Sequence, residues 1–495
     1  MNENRPLLKT QQSVSSSGWY NNQFKISLFG LIYGCAIEMR SITETQFVYA
    51  YLKNRTEINN TVYETGVNKS KDDEKCLDNT TNTGDNYIQG LATDWTWYIT
   101  LVIYGIGLPV LAFIGPLSDK LGRKPIILYN LGLTTISFSI RTYIVYADLN
   151  LYWYLLTCCI EGFAGSHYAY HFACCSTLAN CTKAGKQRPF AFALYESMLG
   201  LGLCISEIGT GYLIKLLGFT YPYLISTGLN IIVFISFCTF QEENIEIEKT
   251  HTFSAKTKEV YTFCTKRESL SRSVSWKIFS ITILIFFIYH FPVSSFGSIR
   301  TLYTLGLPFC WSSVHIGWYA AGVDVIQYVF SVLILRCLLM VIKDETITIL
   351  GFVSNIAFLV MFGMLATDWF IYTATAIGVI RILPNPLLKS FLSRMVIPDK
   401  QGTLFSNIYL IEATCRLGGV TVFNNIYHQT RPIFKGMVFI VMASFSMCAV
   451  VLFICTQRTR TQTEQQEIAV DEPTVQSQKD VNEAQHNEYK ATQKD

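Results

Sequence analysis

Ionisable side chains interrupt the long apolar stretches of this sequence. Glu196 stands in Ala193-Leu-Tyr-Glu196-Ser, and His290 in Phe286-Phe-Ile-Tyr-His290-Phe. Glu38, Arg40, Arg381, Lys389, Glu412 and Arg416 have similar apolar surroundings. Charge inside hydrocarbon is unfavourable, so such groups face an aqueous path or pair with one another. The chemistry they permit is proton exchange and capture of an anion. Imidazole suits proton exchange because its unperturbed pKa is about 6.5. A carboxylate in an apolar helix takes or releases a proton as its surroundings change. Glu196 has a second reading, as the partner of a basic group such as Lys389. Glu38 and Arg40 either line a cavity or pair. Glu412 and Arg416, four residues apart, read as an ion pair along one helix. Arg381 either attracts an anion or snorkels. His167 and His171 share a helical face at a metal-like spacing. No third ligand accompanies them in sequence, so packing or cavity lining is the expectation. No metal or other cofactor is expected. No Ser-His-Asp or phosphate-binding motif supports an enzyme.

The elements that must position these groups are membrane spans. Of 495 residues, 50% are hydrophobic and 15% charged, against about 25% charged in an average soluble protein. A helix crosses hydrocarbon in about 20 residues. Twelve stretches meet that need. The first six are 24–49, 95–117, 124–146, 151–178, 189–214 and 220–240. The second six are 277–302, 313–340, 346–366, 369–394, 402–426 and 433–456. The fold class expected is an all-α membrane protein with two six-helix halves. Residues 1–23 form an N-terminal tail and 24–240 the first half, with a polar outer loop at 53–93. A charged loop at 241–276 precedes the second half, 277–456, and a polar tail of disordered composition, 457–495. The N-terminus is polar through Asn22, so no cleavable signal peptide is expected. No basic tract interleaved with aromatics points to nucleic acid. Pro384 and Pro386 are expected to distort the tenth span.

Lys and Arg cluster on one side of this topology, which places both termini in the cytoplasm. The 53–93 loop then faces outward. It carries four sequons, at Asn54, Asn59, Asn68 and Asn79, read as glycosylation sites. Asn180-Cys-Thr falls on the inner side and is expected to stay unmodified. Of the 15 cysteines, Cys76 and Cys310 fall in outer loops. They read as a disulfide on the oxidising side, or as two free thiols.

Gly115-Pro-Leu-Ser-Asp-Lys-Leu-Gly-Arg-Lys-Pro125 joins spans two and three. Gly115 and Gly122 permit a short turn and close helix approach. Asp119 can accept hydrogen bonds at a neighbouring helix N-terminus. Arg123 and Lys124 supply partners and anchor the loop. The stretch resembles the signature loop of the major facilitator superfamily, G-x-L-[SA]-D-x-x-G-R-[KR]-x. The resemblance implies a twelve-helix major facilitator fold, in which this loop closes an inner gate.

Three further segments resemble solute carrier family 46. They are Thr45-Gln-Phe-Val-Tyr49, Thr301-Leu-Tyr-Thr-Leu-Gly-Leu-Pro-Phe-Cys-Trp311 and Gln401-Gly-Thr-Leu-Phe-Ser406. This resemblance spans residues 24–456. It implies a secondary transporter, with protons and a small organic anion as partners. Family members carry folate, muropeptides, cyclic dinucleotides or drug catabolites. It also implies proton-coupling roles for His290 and Glu196, and agrees with a Cys76–Cys310 bond. Lys389 stands where the folate member has arginine, and so lacks the bidentate fork. Span four lacks the folate member's Asp-rich pattern and has Glu161 upstream. No ATP-binding motif is present, so an ion gradient is the expected driving force. The rival expectation is a receptor or scaffold of the same fold that does not transport. Glu3-Asn-Arg-Pro-Leu7-Leu8 resembles an acidic dileucine signal. It implies clathrin adaptors as partners and a lysosomal or endosomal membrane ahead of the plasma membrane.

Overall fold

A computed structural model of the chain describes residues 16–61, 83–182, 185–239, 275–305, 309, 311, 313–364, 367–430 and 433–460. The first six spans are α1 (Ser16–Thr61), α2 (Thr83–Leu121), α3 (Arg123–Tyr146), the pair α4 (Leu151–Phe163) and α5 (Ser166–Cys181), α6 (Gln187–Leu217) and α7 (Thr220–Thr239). Span seven is α8 (Trp276–Val293) with α9 (Phe296–Leu305). Span eight is α10 (Ser313–Asp324), a π turn at Val325–Phe330 and α11 (Ser331–Val341). The rest are α12 (Asp344–Met364), the pair α13 (Asp368–Ile377) and α14 (Pro384–Met395), α15 (Gln401–Thr430) and α16 (Met437–Arg460). Each expected span coincides with one of these rods.

Two boundaries differ from expectation. α1 runs to Thr61 and α2 begins at Thr83, so both extend into the stretch read as the outer loop. No Gly or Pro stands between Tyr51 and Thr61 to stop the helix. Asn54 is therefore an exposed helical residue, and the backbone of Asn59 is helical too. In the tenth span the break falls just before the prolines, at a tight turn over Gly378–Ile380. Proline fits a first helical turn, so Pro384 and Pro386 start α14 rather than bend its middle.

Among the described residues, nine helices are long and apolar enough to cross a membrane. The remaining spans are α3, α4–α5 and α15. These carry Arg141, Glu161, Glu412 and Arg416, which lowers their hydropathy. The fourth span breaks at Gly165, whose φ is +81°. Asn130 of α3 repairs the break by donating to Ala164 O at 2.9 Å and Ser166 O at 2.7 Å. Backbone groups freed inside a membrane need such partners. Close helix approach uses small residues. A Cβ at Gly202 on α6 would stand 2.2 Å from the backbone oxygen of Leu31 on α1. Ser206, one turn along, donates to Cys35 O at 2.9 Å. Packing of α15 against α2 and α5, and of α14 against α6, joins the two halves.

Candidate functional site

The two halves enclose a cavity of about 290 Å³. α1, α2, α5 and α6 form one wall, and α8, the π turn, α14 and α15 the other. Lys389 of α14 is 2% exposed and sits at its centre of charge. Its Nζ lies 2.9 Å from Glu196 Oε1, across the boundary between the halves. It lies 2.9 Å from Glu412 Oε1, within its own half. Tyr409 adds a hydroxyl at 3.3 Å and a ring face with its centroid 4.5 Å away. Asn385 donates to Glu196 Oε1 at 3.3 Å. His290 stacks on Phe286 and brings Nε2 within 4.0 Å of Glu412 Oε1. Two carboxylates thus face one ammonium, with an imidazole beside them. With both acids ionised and the imidazole neutral, this group carries one excess negative charge, which a single proton cancels.

The structure corrects the expected Glu412–Arg416 pair. Both lie on one face of α15, but Glu412 turns to Lys389, and no ion pair joins it to Arg416 among the described residues. A fully buried ammonium outweighs a neighbour along the helix, whose isolated-pair value is only about 0.5 kcal/mol. Arg381 is also corrected. It neither snorkels nor lines the cavity. It is 7% exposed, lies 4.6 and 4.2 Å from the ring centroids of Phe296 and Phe358, and donates to Asn355 Oδ1 at 3.3 Å.

Glu38 and Arg40 do not pair with each other; both line the cavity. Arg40 is held from behind. Its Nη1 meets Glu44 Oε2 at 2.8 Å, and its Nη2 meets Glu161 Oε1 at 3.6 Å. Arg141 closes this ring of charges, 2.7 Å from Glu161 Oε2 and 3.3 Å from Glu44 Oε2. Tyr154 donates to Glu44 at 2.6 Å. Two guanidiniums face two carboxylates, so the formal charges of the ring cancel. Glu44 and Arg141 escaped the sequence reading. Their signal was present: Glu44 is one turn from Arg40, and Arg141 stands in the apolar run of α3. His167 and His171 line the cavity, and His171 Nδ1 bonds Tyr195 OH at 2.7 Å. No group of metal ligands forms among the described residues.

The 115–125 segment, read as a loop, is the last turns of α2 and the start of α3, and it latches one end of the molecule. Asp119 Oδ1 accepts from the Gly402 amide at 2.7 Å, and Oδ2 from the Thr403 amide at 2.7 Å and hydroxyl at 2.6 Å. These are the free donors at the N-terminus of α15, where negative charge is favoured. Gly402 makes the approach possible, because a Cβ there would lie 2.5 Å from Asp119 Oδ1. Gly115 does the same beneath Ser406. Gly122 turns the chain at φ +86°. Arg123 lies 3.6 Å from Asp119 and donates to Ser176 at 2.7 Å. Lys124 donates to the backbone of Cys238 near the end of α7, at 3.0 Å. Arg188 of α6 adds a second strap, donating to Ser393 Oγ of α14 at 3.2 Å.

The Major Facilitator Superfamily profile matches residues 88–419, more than half of the chain. The chain belongs to the Major Facilitator Superfamily. It is a multi-pass membrane transporter of that superfamily. Curated relatives include the proton-coupled folate transporter of Rattus norvegicus, 24% identical over 397 residues, covering 79% of this chain and 84% of that protein. The lysosomal proton-coupled steroid conjugate and bile acid symporter SLC46A3 of Rattus norvegicus is 28% identical over 351 residues, covering 67% and 74%. Among solved structures, the human organic anion transporter MFSD10 (TETRAN) superposes with a TM-score of 0.69 at 12% identity, covering 88% of this chain and 99% of that one. The E. coli fucose:proton symporter FucP gives 0.64 at 11%, with the same coverage. These superpositions establish the fold.

Several expected sites of this superfamily member lie outside the described residues. They are Cys76 and Cys310, Asn68 and Asn79, and Glu3, Leu7 and Leu8.

Proposed function

We propose that this chain is a proton-coupled symporter of an organic anion, working by alternating access. The observation that carries the reading is the position of Lys389 between Glu196 and Glu412, 2.9 Å from each. With Glu196 ionised, Lys389 ties the second half to the first. A proton on Glu196 removes that tie. Lys389 keeps Glu412 as its counter-ion, so no cation is left unpaired in the cavity, a condition that is strongly unfavourable. His290, beside Glu412, exchanges protons between this group and the cavity. The Asp119 latch keeps the cytoplasmic end shut while proton and anion enter from the other side. The proton-coupled relatives support this reading, and their substrates mark the class: folate in one, steroid conjugates and bile acids in the other.

The test is uptake by proteoliposomes holding the full chain. Labelled folate and a steroid sulfate serve as probes. Uptake of one of them is expected to rise when the outside is acidified, and to collapse with a protonophore. Uptake that ignores both treatments contradicts the coupling.

Residence in an endolysosomal membrane belongs to the same proposal. It rests on Glu3, Leu7 and Leu8 and on the lysosomal relative. The double variant Leu7→Ala, Leu8→Ala should move to the cell surface, read by surface biotinylation. An unchanged distribution removes the motif from the account.

A further inference from the structure

Three cations line the cavity: Arg40, Lys389 and Arg416. The protein neutralises two of them itself. Arg40 has Glu44 and Glu161, and Lys389 has Glu196 and Glu412. Both are buried, at 6% and 2% exposure. Arg416 differs. It stands on α15 one turn beyond Glu412 and is exposed to the cavity. Among the described residues its guanidinium has no ion pair and no hydrogen bond. The charged and titratable groups that face it are Glu38 and Arg40 of α1, Tyr104 of α2, and His167 and Tyr168 of α5. Glu38 shares the cavity but does not close to ion-pair range.

Because Arg416 is exposed to the cavity and makes no ion pair there among the described residues, its guanidinium is open to a ligand. Arginine presents its donors as a planar fork that matches a carboxylate, sulfate or phosphate. The surroundings favour such a ligand with a flat apolar body. The rings of His167 and Tyr168 lie 4.2 Å apart, and Tyr104 packs against both at 5.9 and 5.8 Å. All three rings line the same cavity as Arg416.

We propose that Arg416 binds the anionic group of the transported solute, which carries its charge on a ring system that packs on Tyr104, His167 and Tyr168. The inference rests on the proposed anion symport. It divides the cavity into a proton site at Lys389 and an anion site at Arg416. The competing role for Arg416 is a structural counter-charge to Glu38. The two roles differ in sign. If Arg416 serves Glu38, removing either charge does similar damage. If Arg416 serves the solute, Glu38 competes with the anion, and its removal tightens binding.

The experiment is calorimetric titration of the purified full-length protein, with no proton gradient, at neutral and at acid pH. The probes are folic acid and dehydroepiandrosterone sulfate, with uncharged dehydroepiandrosterone as control. The parent should bind at least one anion and not the control. Arg416→Gln should weaken that binding by roughly tenfold to a hundredfold, the loss of one charge-assisted fork. Arg416→Lys should fall between, and Glu38→Gln should bind more tightly than the parent. Thermal unfolding checks each variant. If Arg416→Gln does not fold, the Arg416→Lys and Glu38→Gln arms decide. Parental affinity in Arg416→Gln, or in Arg416→Lys where that arm decides, overturns the assignment. So does weakening in Glu38→Gln, and so does a parent that binds neither anion. Because no gradient is present, Arg416-dependent binding survives a failure of proton coupling, and the two failures are told apart.

Discussion

Glu196→Gln should abolish accumulation of the solute against its gradient while leaving solute-for-solute exchange in place. Glutamine keeps the shape of the protonated acid but cannot ionise. Lys389 then has Glu412 as its remaining carboxylate, and the tie between the halves is permanently loose. Alternating access continues, but no proton is required for it. The expected readings are an accumulation ratio near one and counterflow within a few fold of the parent, both in proteoliposomes. Glu412→Gln should act in the opposite sense. It leaves Lys389 leaning on Glu196 alone, so a proton on Glu196 strands a buried cation. Uptake by that variant should need a more acid exterior than the parent does. Unchanged accumulation in Glu196→Gln removes the carboxylate from the coupling step.

Asp119→Asn should slow transport at every pH, and exchange with it. The carboxylate accepts from two amides and a hydroxyl at the start of α15. An asparagine offers one oxygen, turns an NH2 toward donors, and removes the negative charge from a helix N-terminus. Hydrogen bonds to a charged group contribute about 1.5–3 kcal/mol each. Losing them destabilises the state with this end closed, and the population shifts away from the outward-facing form. Initial uptake is expected to fall by roughly tenfold or more, as such an energy implies, with no change in the shape of the pH profile. Gly402→Val should reproduce the defect, because its side chain would collide with Ser118 and Asp119. A pH profile that shifts in Asp119→Asn would mean that the latch and the proton site are one device.

These two variants also separate what the sequence made legible from what it hid. The Asp119 latch was readable. An acid in a short turn between two spans, followed by a glycine and two cations, has few physical uses, and one is to cap a helix. The twelve rods were readable because hydrocarbon thickness sets their length. Glu196 and Lys389 were readable as partners, since both interrupt apolar runs. Glu412 was not. Its spacing to Arg416 obeys the rule for one helix, but a helix in a bundle has neighbours on every side. The approach of α14 brings Lys389 to Glu412 and leaves Arg416 facing the cavity. That contact depends on the packing of two spans, which local spacing does not encode. Arg381 shows the same limit. An arginine near a helix break looks available to solvent, yet Phe296 and Phe358, both distant in sequence, enclose it.

The central claim is that one proton, held at the Glu196–Lys389–Glu412 group, enters with the anion. The most direct measurement traps a pH-sensitive dye inside proteoliposomes and follows it when the transported anion is added outside. With the parent chain, internal pH should fall as the anion enters, and a protonophore should erase the change. With Glu196→Gln, the anion should exchange without acidifying the lumen. Accumulation of the anion by the parent with no internal acidification would contradict the account.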